Sequence, residues 1–269
     1  MLLDIGLFPA LVLGAIQGVT EFLPISSDGH LAIAAMLFGE TDMSLAMVVL
    51  LHLGTLLATF IVLRADVRPL LVTLFTPSRW RGTEDGAALR TILITSVPTA
   101  IVGLSLHDVV EPLARSAWVV GVCLWGSAVA VASTRWSGPK ATGTSLDLPI
   151  GHCVLIGLAQ GIAVLPGLSR SGMSIAVAML LGLTGPTAFR LSFLLSLPAI
   201  TGAALFELRR PEVWTTLGEN AIAGTVVAFV VGLAALTALR HIVARGRFWA
   251  FAVYLVPLGA ILIAMDVLR

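Results

Sequence analysis

The sequence predicts an all-α polytopic membrane protein built on an inverted-topology repeat, and three observations carry that prediction. Of 269 residues, 58% are hydrophobic and 12% charged, with a mean hydropathy of +1.01. That is about half the charged share of an ordinary soluble domain, too little polar surface to cover a soluble globule of this length. The apolar residues gather into stretches, most with the ~20 residues of one membrane crossing. Two stretches are too long for one crossing, are broken centrally, and resemble each other.

The first stretch, about residues 5–38, is interrupted by LPISSDGH at 23–30. Unwound backbone at membrane depth is tolerated only where protein or a watery cavity satisfies its polar groups, so this is a pair of half-helices meeting at a polar tip. Spans follow at about 44–63, 88–107 and 117–135. The second broken stretch, about 149–183, is interrupted by LPGLSRSG at 165–172, and three more spans lie at about 187–207, 218–240 and 248–268. The two broken pairs and about six spanning helices form a single integral membrane domain over 1–269. No basic region precedes the first apolar run, which argues against a cleaved signal peptide.

Residues 14–29 read GAIQGVTEFLPISSDG and residues 157–172 read GLAQGIAVLPGLSRSG. They match at Gly14/Gly157, Gln17/Gln160, Gly18/Gly161 and Gly29/Gly172, with a one-residue shift around the proline. Three spans separate the copies, so the second enters from the opposite face; repeat one covers about 5–135, repeat two about 149–268, and their tips are expected near the midplane. Loops 64–87, 135–148 and 240–247 carry Arg64, Arg68, Arg79, Arg81, Arg135, Lys140, Arg240, Arg245 and Arg247; the other side carries Arg115, Arg209, Arg210 and Arg269. The positive-inside rule puts the first set in the cytoplasm and opens the first broken pair outward.

A net charge of +1 gives no field for nucleic acid, and Cys123 and Cys153, both in apolar runs, offer neither a disulfide framework nor a metal knuckle. Charges inside apolar spans are costly and mark functional sites by default: Glu21, Asp28, Arg170 and Arg190. Arg170, between Ser169 and Ser171 and just ahead of a half-helix starting near Gly172, describes an anion site of guanidinium, hydroxyls and free N–H groups, with phosphate as guest. An ion pair with Glu21 or Asp28 is the alternative. Ser26 and Ser27 precede His30 at the start of the other half-helix, where Ser27 and His30 share a face and a hydroxyl nucleophile can meet an imidazole. Glu21, one turn after Gln17, is a base, a cation ligand or a partner for Arg170. Arg190 reads as a snorkelling residue, and His52, His107, His152 and His241 as structural.

At these motifs the chain resembles the BacA-type undecaprenyl-diphosphate phosphatases. The family pattern (E/Q)GxTEFLP(I/V)SSxxH reads here QGVTEFLPISSDGH at 17–30, and PGxSRSG reads PGLSRSG at 166–172; GLSLHD (103–108) and RLSFLLSLPAITGA (190–203) extend the likeness along nearly the whole chain. The resemblance implies hydrolysis of undecaprenyl diphosphate to undecaprenyl phosphate, recycling a cell-wall lipid carrier, in a bacterial inner membrane at an outward-facing pocket. It implies Ser27 as nucleophile with His30 and Glu21 as its neighbours, Arg170 with Ser169 and Ser171 as phosphate grip, and Mg²⁺ or Ca²⁺ as cofactor; Ser26 and Gly172 are further candidates for the phosphate cradle, and Glu21, Gln17 and Asp28 are the candidate cation ligands. Expected partners are the polyprenyl diphosphate and membrane lipids but no nucleic acid, with a homodimer left open. Asp28 departs from the usual Ser or Thr, and Leu255 after Tyr254 from a frequent Arg. A rival from another class is a transporter of a phosphorylated polyprenyl lipid, since broken helices in inverted repeats also serve alternating access.

Overall fold

The computed structural model describes residues 6–38, 45–137, 141–211, 213 and 220–267; Lys140 and Arg269 of the orientation count lie outside them. The described chain is helical apart from turns, loops and one isolated bridge between Gly143 and Leu183.

Helices α1 (Leu7–Thr20) and α2 (Ser27–Leu37) form the first broken pair, and α7 (Ile150–Ile162) and α8 (Arg170–Leu180) the second. Between them run α3 (Leu45–Val62), α4 (Arg64–Leu74), α5 (Glu84–Ala114) and α6 (Ala117–Ser137); after them come α9 (Gly185–Glu207), α10 (Ala221–Ala244) and α11 (Ala252–Val267). Five helices are each long and apolar enough to cross a membrane, and α3 makes a sixth when counted with α4, into which it bends by 91°. The chain is therefore a multi-pass membrane protein.

Two boundaries differ from the sequence reading. The loop expected at 64–87 contains α4, whose mixed RADVRPLLVTL hides it from a hydropathy scan, and the ion pair from Arg190 Nε on α9 to Asp66 Oδ1 at 2.5 Å ties it down. Arg190 is thus an ion-pair partner rather than a snorkelling residue. Helix α5 starts earlier than 88 because Thr83 caps it, its Oγ1 accepting from Gly86 N at 3.0 Å, with Glu84 and Asp85 favourable in the first turn. Its residues run on past His107 to Ala114.

The shared glycines explain how the half-helices are seated. A Cβ on Gly14 would strike the Gly224 carbonyl oxygen of α10, and one on Gly157 would strike the Thr95 carbonyl oxygen of α5. Backbone approach this close is what small residues allow in a membrane, where helices associate by packing rather than by expelling water. So α1 lies against α10, α7 against α5, and α6 against α11. Beneath the tips, Phe22 packs on Phe193 at 5.7 Å between ring centroids and Phe193 on Phe189 at 4.8 Å, all three buried.

Candidate active site

Each tip turns on a residue with left-handed backbone. In the first it is Ser26, at φ 69°, after which α2 begins at Ser27; in the second it is Gly167, at φ 97°. A left-handed serine is costly unless its surroundings hold it, and here Ser26 Oγ accepts from Gly167 N at 3.1 Å. Ser169 caps α8, its Oγ accepting from Gly172 N at 3.1 Å, so the helix starts at Arg170 rather than near Gly172. Ser127 on α6 braces this turn, accepting from Ser169 N at 2.8 Å.

Among the described residues three hydrogen bonds join the tips: the Ser26–Gly167 bond, Ser171 Oγ donating to the Phe22 carbonyl at 3.0 Å, and Arg170 Nη2 donating to Glu21 Oε1 at 2.6 Å. The other Glu21 oxygen, Oε2, accepts from Ser27 Oγ at 2.8 Å and from Gln17 Nε2 at 3.1 Å, with His52 Nε2 at 3.6 Å. Glu21 is only 7% exposed, and a carboxylate at that depth persists because it is paired and hydrogen-bonded on every side. The Arg170 alternatives of phosphate fork and ion pair are compatible: one guanidinium N–H bonds Glu21, and the fork has five.

A cavity of about 740 Å³ opens over this pair. Its polar end is lined by Glu21, Ser26, Ser27, Asp28, His52, Ser169 and Arg170; it continues between the second halves of α5 and α9, from Ser96 to His107 and from Pro198 to Glu207. Gln17 is wholly buried and supports Glu21 without lining the cavity. Ser171 and Gly172 are buried behind the wall, the Ser171 hydroxyl spent on Phe22. His30 faces elsewhere: Nδ1 is 2.8 Å from the Ser26 carbonyl and Nε2 is 2.7 Å from the Tyr254 hydroxyl. The side chain set against the Ser27 hydroxyl is Glu21.

Glu21 and Arg170 cancel in charge, which leaves Asp28, exposed to the cavity and without a hydrogen bond or ion pair among the described residues. Among those residues no three His, Cys, Asp or Glu side chains cluster as a cage for a metal. Asp28 is the carboxylate in the cavity that could hold a divalent cation. The Gln17 Oε1 is buried without a partner and does not reach the cavity.

Sequence reasoning missed His52 and Tyr254. His52 carried a signal, since a histidine in the apolar run 44–63 is itself a polar group at membrane depth; what was lacking was any spacing to pair it with Glu21. His107, at the far end of the cavity, accepts a hydrogen bond from Arg210 Nη2 at 2.9 Å beside Glu207.

A family model described as bacitracin resistance protein BacA matches residues 10–261. An undecaprenyl-diphosphatase of Desulfosudis oleivorans is 42% identical over 263 residues, covering 93% of this chain and 95% of its own length. One of Desulforapulum autotrophicum is 39% identical, covering 95% and 96%, and one of Korarchaeum cryptofilum 37% identical, covering 95% and 98%. Since the match takes in both tips and the likeness runs end to end at such identities, the chain belongs to the BacA family.

Proposed function

We propose that the chain hydrolyses undecaprenyl diphosphate to undecaprenyl phosphate and inorganic phosphate in the cavity between the tips. One observation carries this reading: the Ser27 hydroxyl donates to a buried carboxylate that Arg170 holds from its other side. A nucleophile, its base and a phosphate fork then stand in one chain of bonds. The name undecaprenyl-diphosphatase borne by the relatives supports this substrate and weighs against the transporter.

The free N–H groups of Arg170 grip the terminal phosphate, aided by the positive end of α8. Ser27 Oγ attacks the terminal phosphorus in line with the bridging oxygen and gives its proton to Glu21 Oε2. The bond from phosphorus to the bridging oxygen breaks, undecaprenyl phosphate departs, and Glu21 releases the proton to it. Water then attacks the phosphoserine, Glu21 taking its proton and returning it to Ser27 Oγ as inorganic phosphate leaves. A bound divalent cation supplies neutralisation of the diphosphate charge, and Asp28 is the residue that would hold it.

The test is phosphate release from C55 diphosphate by purified protein with and without chelator, followed by trapping of the phosphoenzyme. Acid-stable phosphate on a peptide from 24–31 supports Ser27. Acid-labile phosphate would move the nucleophile to His30, and no release under any cation would revive the transporter.

The same reading includes a bacterial cytoplasmic membrane, a cavity opening outward and two inverted repeats. In support, the cavity lies toward the His107 end of α5 and the Glu207 end of α9, away from the arginine-rich loops. The repeats are supported by reciprocal seating, α1 on the second half's α10 and α7 on the first half's α5. In a variant with Cys123 and Cys153 replaced, an impermeant thiol reagent on intact cells labels Arg115→Cys and spares Arg79→Cys; the reverse pattern inverts the orientation.

A further inference from the structure

Helix α11 contributes one polar side chain to the site region, and it is the chain's only tyrosine. Tyr254 is 45% exposed, yet its hydroxyl lies 2.7 Å from His30 Nε2 and its ring is stacked on the imidazole, with centroids 5.9 Å apart and planes at 21°. The other ring nitrogen, Nδ1, is 2.8 Å from the Ser26 carbonyl oxygen. A carbonyl oxygen can only accept, so Nδ1 carries a hydrogen; in the neutral ring Nε2 is then the acceptor and Tyr254 the donor. Both nitrogens are committed, one to the left-handed residue that joins the two tips and one to α11.

We propose that Tyr254 is a positioning residue of the active site: its hydroxyl and ring lock His30 in the Nδ1–H tautomer and hold Nε2 away from Ser27, leaving Glu21 as the group set against the nucleophile. The inference rests on the phosphatase reading for its effect on rate, but the pairing itself is independent of that reading. Tyr254 also ties α11, which packs mainly on α6, to the residue that follows Ser27 by one helical turn. A free imidazole three residues after Ser27 would compete with Glu21 for the hydroxyl; the tyrosine removes that competitor and keeps the Ser26 carbonyl occupied.

Two measurements test this. A single ¹³Cζ-tyrosine label gives one resonance, which is expected to move in His30→Ala; an unmoved resonance overturns the pairing whether or not the protein is a phosphatase. For the rate, Tyr254→Phe keeps the ring and removes the hydroxyl, and kcat on C55 diphosphate is expected to fall about tenfold with KM within about twofold, as for loss of a hydrogen-bonded orienting partner. In the His30→Ala background the same substitution is expected to change nothing further. If Tyr254→Phe slows the His30→Ala protein by the same factor as the wild type, or raises KM alone, the positioning role fails. Wild-type protein that releases no phosphate would sink the phosphatase reading while the resonance still reports on the pair.

Discussion

The two tips are built on one backbone device and put to different uses. Both follow a short helix carrying GxxQG, both turn on a left-handed residue and both lead into an 11-residue helix. The second is tied down throughout: Ser169 caps α8, Ser171 bonds Phe22, Ser174 meets Ser192 of α9 at 2.6 Å, and the charged side chain it turns to the cavity is Arg170. The first tip keeps its reactive groups in front, with Ser27 and Asp28 opening to the cavity. The glutamines show the same split. Gln17 donates to Glu21, whereas Gln160 donates to Thr99 of α5 at 3.3 Å, and Val164 stands where the repeat would put a second Glu21. In the proposed mechanism one tip serves as a cradle and the other as a reagent, and the cradle is the better braced of the two.

Substitutions can break that division. The largest effect is expected for Ser27→Ala, which should lower phosphate release by about 10³-fold or more and abolish the trapped phosphopeptide; residual turnover at wild-type rate would remove Ser27 from the chemistry. Arg170→Lys is next, with kcat/KM expected to fall about 10²-fold, because an ammonium cannot hold Glu21 and a phosphate at once as a planar fork does. A loss no greater than a few-fold would mean that charge alone suffices there. Gly14→Leu and Gly157→Leu probe the seating of the two halves: each should destabilise the protein by at least the ~1–3 kcal/mol of an overpacked contact, read as a lowered thermal unfolding midpoint in detergent. If only one of the pair is sensitive, the two halves are not seated alike. His52→Gln should cost only about two- to tenfold in kcat, in keeping with an ion pair at the edge of contact. Ser169→Ala removes a helix cap and should cost about 1 kcal/mol of stability while leaving the phosphopeptide on the same residue.

Much of this was legible in the sequence, for a definite reason. Against a background of 12% charged residues, Glu21, Asp28 and Arg170 are conspicuous, and Pro24, Gly29, Pro166 and Gly167 betray the breaks because helical backbone in lipid cannot end without cause. Contacts between elements were not legible. His30 and Ser27 are three apart and share a helix face, yet the imidazole partner lies 224 residues away on α11, and no periodicity encodes that. Ser171 reads as a cavity hydroxyl until the position of Phe22 is known. Helix α4 was hidden because its apolar and charged residues alternate at helical spacing, so no window of it is apolar enough to notice.

The cavity's shape also bears on direction. Its walls include the second halves of α5 and α9, on which Ile101, Leu104 and Leu205 are each more than half exposed, while its far rim holds His107, Glu207 and Arg209. For a phosphatase, such a vessel offers the two products two kinds of surface. A long isoprenoid is matched by the apolar walls, and inorganic phosphate by the polar rim. The two products differ in solubility as soon as they form, and a cavity with one apolar and one polar boundary sorts them without a moving part.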